Sequence, residues 1–240
     1  MLALYTIASS TAHAAKITGI HTTCTYTPNY QAKPGTRLPI LISENGEDKM
    51  VLATWKPAVK IESGKNASAT LDMHSAMNTY PYKHQIRQSR CAILANCFFG
   101  LYKDDPYLIR VLGERLFCMA GLCEKRMIKN SHLYSFTLLH INAADVLLPF
   151  TDAMPLLFSV DDRKDWLSSK KLFELLELAD KSQELWFDYF KVTKEILKPE
   201  INDASLLNPI GLSREEVRAR ERQLLSVKLG KERANRGSKR

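Results

Sequence analysis

The chain has 240 residues, 45% hydrophobic and 25% charged, the balance of a soluble globular protein with enough length to bury one sizeable core. Ten Gly and ten Pro exclude a low-complexity or collagen-like chain, and five cysteines, an odd number, point to reduced thiols in a cytoplasmic protein and not to a disulfide scaffold. The net charge of +8 is local: ten of the 34 Lys/Arg but only four of the 26 acids fall in residues 211–240, leaving 24 basic and 22 acidic groups in residues 1–210.

No apolar run reaches the roughly 20 residues that span a bilayer. Met1 to Ala15 is apolar and small, and Ala12-His13-Ala14 imitates a signal-peptidase site. No Lys or Arg precedes Lys16, however, and Thr6, Ser9, Ser10 and Thr11 interrupt the run, so export is not expected. Residues 1–10 read instead as a strand. Leu38–Ser43 and Met50–Trp55 flank Asn45-Gly46 and predict a hairpin. Residues 64–82 are ambiguous. Cys91–Leu101 reads as one buried strand whose even spacing puts Cys91 and Cys97 on the same side as core thiols. Tyr107–Val111 and Arg115–Ala120 read as strands around a Leu112-Gly113-Glu114 turn, followed by strands at Tyr134–Ile141 and Pro155–Val160. From Asp161 to Ala179 the apolar period becomes helical. Seven or eight short strands without βαβ alternation predict an α+β domain built on a mainly antiparallel sheet, curling into a partly closed barrel and flanked by a few helices. The domain is placed at residues 1–210, with residues 211–240 a basic helical or disordered tail. Ser213 and Glu216 form a capping box, and Arg214, Arg218 and Arg222 share one helical face ahead of Lys228. These four are the candidate phosphate-neutralising residues.

Motifs of known chemistry are absent. The six histidines have no cysteine partners at metal-ligand spacing, and Cys118 and Cys123 lack a second pair, so neither zinc nor another metal or cofactor is expected. There is no Gly-rich phosphate loop and no G-x-S-x-G.

A series of short motifs does carry a resemblance. Met1-Leu2-Ala3-Leu4-Tyr5-Thr6, Pro28-Asn29-Tyr30, Pro34-Gly35 with Leu38-Pro39-Ile40-Leu41, and the run from Arg90-Cys91 to Phe98-Phe99-Gly100-Leu101 occur in order. Ser135-Phe136-Thr137-Leu138-Leu139 with Asn142-Ala143, Thr151-Asp152-Ala153-Met154-Pro155 and Asp165-Trp166-Leu167 follow. This order and spacing resemble the SRAP family, the SOS-response-associated peptidases that handle abasic sites in single-stranded DNA, over roughly residues 1–210. The resemblance implies the SRAP fold, and with it a first strand at the N-terminus.

The family's chemistry belongs to four positions, and here each is substituted. The second-residue Cys, whose thiol and amine close a ring on the abasic aldehyde, corresponds to Leu2. The Asn falls by spacing near Thr70, the acid of F-[FY]-E-W at Gly100, and the His ahead of x-R-M-P at Thr151. None of these side chains can replace a nucleophile or an acid–base group. The family's DNA-holding arginines fall at Leu4, near Asp72 and at Ala153. Its E-W tryptophan falls at Leu101, and the W-G-L-x-P segment at Ala53-Thr54-Trp55-Lys56-Pro57. The resemblance therefore implies a monomeric, non-catalytic binding or regulatory copy, whose partner is single-stranded DNA held more weakly than in the family, or a protein, and not a membrane. Two alternatives stand beside it. One is an active abasic-site crosslinking or peptidase-type enzyme with a relocated nucleophile, Cys97 or Cys24. The other is a non-specific nucleic-acid tether through the basic tail.

Overall fold

Asn45 and Gly46 set the first element. Their φ angles of +55° and +80° give the left-handed pair of a two-residue hairpin turn. Around it β3 (Arg37–Glu44) and β4 (Glu47–Trp55) pair antiparallel from Arg37↔Thr54 to Glu44↔Glu47. The computed structural model describes residues 2–22, 24–56, 69–129, 131–168, 172–198 and 201–212, with Glu216, Ala219, Arg222, Gln223 and Ser226 beyond them.

The expected curled sheet is present, and its ring closes. β3 pairs with β6 (Arg90–Ala95), β6 with β9 (Phe117–Ile128), and β9 with β10 (Ser131–Asn142). β10 then runs parallel to β4 through Tyr134↔Ala53 and Phe136↔Trp55, so that five strands form a closed barrel. Short strands extend it: β5 (Thr70–Asp72) and β11 (Ala153–Pro155) lie on β10, and β12 (Leu157–Phe158) on β9. A second sheet follows the order β13-β8-β7-β1-β2, from β1 (Tyr5–Ile7), β2 (Asn29–Ala32), β7 (Cys97–Tyr102), β8 (Asp105–Val111) and β13 (Phe187–Lys191). Five helices are described: α1 (Thr11–Thr18), α2 (Met73–Asn78), α3 (Tyr82–Gln88), α4 (Arg163–Ser168) and α5 (Leu172–Gln183).

Two expectations are corrected. The strand foreseen over residues 1–10 covers only Tyr5–Ile7. Ser10 then caps α1 by accepting from the His13 N–H at 3.3 Å, and Gly19 ends the helix at φ +67°. The single strand foreseen over Cys91–Leu101 is two strands, β6 in the barrel and β7 in the second sheet. Asn96 is the break. Its Oδ1 accepts from the N–H groups of Ala8 and Ser9 at 2.7 and 3.1 Å, and its amide donates to Ser9 Oγ and the Arg115 carbonyl. A carboxamide that serves four groups on two other segments holds the chain where it changes sheets. Cys91 and Cys97 consequently face different interiors: Cys91 lies in the main core, while Cys97 joins Leu4, Phe99, Leu108, Phe190, Val192, Ile196 and Leu206 in a second cluster.

The main core is ordered around buried aromatics. Trp55 stacks on Phe136 at 6.0 Å, and its indole N–H donates to the Ala69 carbonyl at 2.8 Å. Trp166, from α4, is fully buried, donates to the Cys91 carbonyl at 2.8 Å and lies 5.8 Å under the Arg90 guanidinium. Arg90 in turn donates to the carbonyls of Ile86 and Trp166, so one pair ties α3, α4 and β6 together. Truncating a buried ring of this size costs about 3–5 kcal/mol. Urea unfolding of Trp166→Ala is expected to show a loss of that order, with the fold retained in far-ultraviolet circular dichroism; a loss below about 1 kcal/mol would mean that α4 docks independently of the ring.

Candidate functional site

The candidate site lies where the start of the chain meets the far end of β7. The register Tyr5↔Phe98 and Thr6↔Cys97 runs β1 antiparallel to β7, which directs residues 4 to 2 toward Gly100 and Leu101. The Leu4 N–H donates to the Leu2 carbonyl at 2.9 Å, a tight bend at the strand's entry. Leu2 packs against the second cluster, whose members include Leu4, Phe99, Phe190 and Leu206. Position 2 thus supplies an apolar anchor between the N-terminal strand and the closing segment of the fold.

Gly100 pairs with Tyr107 of β8. A Cβ built on it would sit 2.7 Å from the Phe150 Cβ, 2.9 Å from the Phe150 carbonyl oxygen and 3.3 Å from Ile109 Cδ1. The first two contacts are closer than packed atoms tolerate, and both are to atoms held by backbone. The Leu101 N–H donates to the Phe150 carbonyl at 2.9 Å, and the Phe150 N–H to the Leu147 carbonyl at 2.8 Å. Any side chain at position 100 would have to displace this bonded segment. The next residue, Thr151, donates its hydroxyl to the Ala153 carbonyl at 2.6 Å, a local turn that uses up its hydrogen.

On the barrel side, β5 brings Thr70 opposite Leu138 and Asp72 opposite His140. Asp72 accepts from the Ser75 N–H at 2.8 Å and so serves as the cap of α2. His140 is half-buried, and its Nδ1 is fully buried without a hydrogen-bond partner among the described residues. Burial lowers its pKa from the ordinary value, while the Asp72 carboxylate acts in the opposite sense. His140 was not singled out from the sequence: a lone histidine in an apolar strand carries no spacing signal, and only the parallel β5–β10 pairing brings it to Asp72.

The comparisons with known proteins agree with this architecture. The family model for SOS response associated peptidase (SRAP) matches residues 1–199. This chain belongs to the SRAP family. A relative, abasic site processing protein YobE of Bacillus subtilis (strain 168), is 23% identical over 154 residues, 60% of this chain and 70% of YobE. Among solved structures, a Bacteroides thetaiotaomicron protein superposes with a TM-score of 0.72 at 16% identity, covering 86% of this chain and 99% of its own. A phage-related protein of Bordetella bronchiseptica superposes at 0.60 and 15% identity, covering 80% of this chain and 94% of its own.

Of the other positions singled out from the SRAP pattern, Leu4 and Leu101 adjoin this site through their bonds to Leu2 and Phe150. Trp55 is fully buried in the barrel core, and Leu4 belongs to the second cluster. Leu101 is partly exposed, and Ala153 pairs with Asn142. Cys97 is 3% exposed, and burial pushes its thiol up to about 12 against smaller downward pulls from Thr6 and Arg110. Cys24 is half-buried beside the middle of β4: its Sγ lies 3.1 Å from Thr22 Oγ1 and donates to the Met50 carbonyl at 3.4 Å. In the tail, Arg222 is helical and exposed, whereas Arg214, Arg218 and Lys228 lie outside the described residues. No helix among the described residues is long and apolar enough to cross a membrane.

Burial ranks the thiols. Cys91, Cys97, Cys118 and Cys123 are buried and Cys24 is not, and burial raises the pKa of each of the four buried thiols. Because the thiolate is the reacting species, Ellman's reagent at pH 8 should label Cys24 rapidly and the other four only after denaturation. Rapid native labelling of Cys97, read by mass spectrometry, would show that its pocket is open.

Proposed function

We propose that this chain is a non-catalytic SRAP protein, which uses the fold of an abasic-site processor to hold single-stranded DNA in the DNA-damage response without bonding to it. The observation that carries the reading is the contact at Gly100. At the position where the SRAP pattern puts a carboxylic acid, the room for any side chain is filled by Phe150. Leu2, at the nucleophile position, packs into an apolar cluster and offers no group that could attack a sugar aldehyde. Thr151, at the imidazole position, donates its hydroxyl to the Ala153 carbonyl. Nucleophilic capture needs a nucleophile and a proton carrier within hydrogen-bond reach of each other. Neither position supplies one here.

A relocated nucleophile is the less favoured reading. At neutral pH Cys97 is protonated and enclosed, and Cys24 donates its thiol to the Met50 carbonyl of β4. The basic tail is compatible with the main reading: its cations would neutralise phosphates without sequence preference and raise affinity at low salt. Reduced thiols and a DNA partner both suit a cytoplasmic monomer, with the fold in residues 1–210 and the tail beyond.

The test is a single-stranded oligonucleotide with one abasic site, incubated with the full chain and split between two gels. The native gel should show a retarded complex that disappears as salt is raised, and the denaturing gel no protein-linked DNA. A band that survives denaturation would overturn the reading, and so would the absence of any complex at low salt.

A further inference from the structure

Four aromatic rings from separate parts of the chain meet beside the filled position. Phe150 lies over Gly100, and around it stand Tyr107 of β8 at 4.8 Å, Tyr189 of β13 at 4.7 Å and Tyr102, at the end of β7, at 6.2 Å. Tyr102 and Tyr107 meet edge to face at 6.2 Å. The strand pairings fix this arrangement: Tyr107 is opposite Gly100 on one side and Lys191 on the other, and Tyr189 is opposite Ile109. The group continues the face that carries Phe98 and Ile109 in the main core out to the rim of the second sheet.

Packing against Gly100 needs only Phe150. The rest of the group keeps a surface: Tyr102 is 40% exposed, and Tyr107, Phe150 and Tyr189 are each partly exposed. Three of the four rings are tyrosines, whose apolar body and polar tip suit a surface that is alternately wet and covered. Cations border the rings. Lys103 Nζ lies 5.3 Å from the Tyr102 centroid, and Lys191 and Lys194 share the single carboxylate of Asp105 at 2.6 and 3.2 Å. Lys194 is 62% exposed while making that contact. Partly exposed ring faces edged by surplus positive charge are what an unpaired base and its flanking phosphates require, because every base has a π-face and every linkage a negative charge.

We infer that Tyr102, Tyr107, Phe150 and Tyr189 form a stacking seat for an unpaired nucleobase of single-stranded DNA, with Tyr102 as its exposed face and Lys103 and Lys194 as its phosphate contacts. This inference rests on the proposed DNA-holding role and places the grip on base faces beside the filled pocket. It also separates the seat from the basic tail, which acts on phosphates alone.

The experiment compares two probes of equal charge by fluorescence anisotropy with the full chain: an oligothymidylate of about 12 nucleotides and a base-free tetrahydrofuran backbone of the same length. The seat predicts that the thymidylate binds about tenfold tighter, as expected for one or two stacked bases. Tyr102→Leu should bring the thymidylate down to the base-free affinity and leave the base-free affinity unchanged, while Tyr102→Phe should bind as the parent does. Equal affinity of the parent for both probes, or full thymidylate affinity in Tyr102→Leu, overturns the seat and leaves the proposed function standing. Absence of binding to either probe overturns the proposed function, and the seat with it.

Discussion

The contact between Gly100 and Phe150 is the constraint on which the functional reading turns. β7 and the segment ahead of β11 approach so closely that the Leu101 N–H reaches the Phe150 carbonyl at 2.9 Å, and no Cβ fits between them. Such proximity between two backbones is possible only over a glycine. Replacing an acid by glycine would ordinarily leave a hollow that water could occupy. Here Phe150 of the neighbouring segment occupies that volume, and its carbonyl accepts from the Leu101 N–H. Phe150 then becomes the centre of the aromatic group, so the same contact that fills the pocket also builds the surface next to it.

The N-terminal strand is likewise fixed by packing. Leu2 and Leu4 carry the start of the chain onto a cluster completed by Phe190, Val192, Ile196 and Leu206, all from the last part of the fold. Each buried aliphatic side chain of this kind contributes about 1.5–3 kcal/mol relative to exposure. Gln31 adds a polar tie, donating to the carbonyls of Glu195 and Ile196 at 3.1 and 3.0 Å. The start of the chain and the segment from Phe190 to Leu206 are therefore held together around Leu2. A polar residue at position 2 would give up that packing.

Much of the barrel was legible in the sequence because its signals are local. Asn45-Gly46 between apolar runs specified a turn that only left-handed residues can make, and the strands around Leu112-Gly113-Glu114 were bounded by a glycine at φ +83°. The break at Asn96 was not legible, since apolar residues continue on both sides of it and the groups that its carboxamide serves lie far away in sequence. Helix α1 was missed because Thr11–Thr18 is short and weakly patterned, so its apolar alanines read as part of the preceding run. At the site, motif order alone pointed to Leu2, Thr70, Gly100 and Thr151. What occupies the space could not be read from it, because Phe150 meets Gly100 across some fifty residues of chain and belongs to no motif.

The most direct test of the account is the thermal stability of Gly100→Ala, a change of one methyl group. If the pocket is filled, the methyl has nowhere to go: the overpacking costs about 1–3 kcal/mol, and Tm falls by roughly 2–12 °C in a chain of this size. An unchanged or higher Tm would show that room remains at position 100, and the claim that packing has replaced chemistry there would be contradicted.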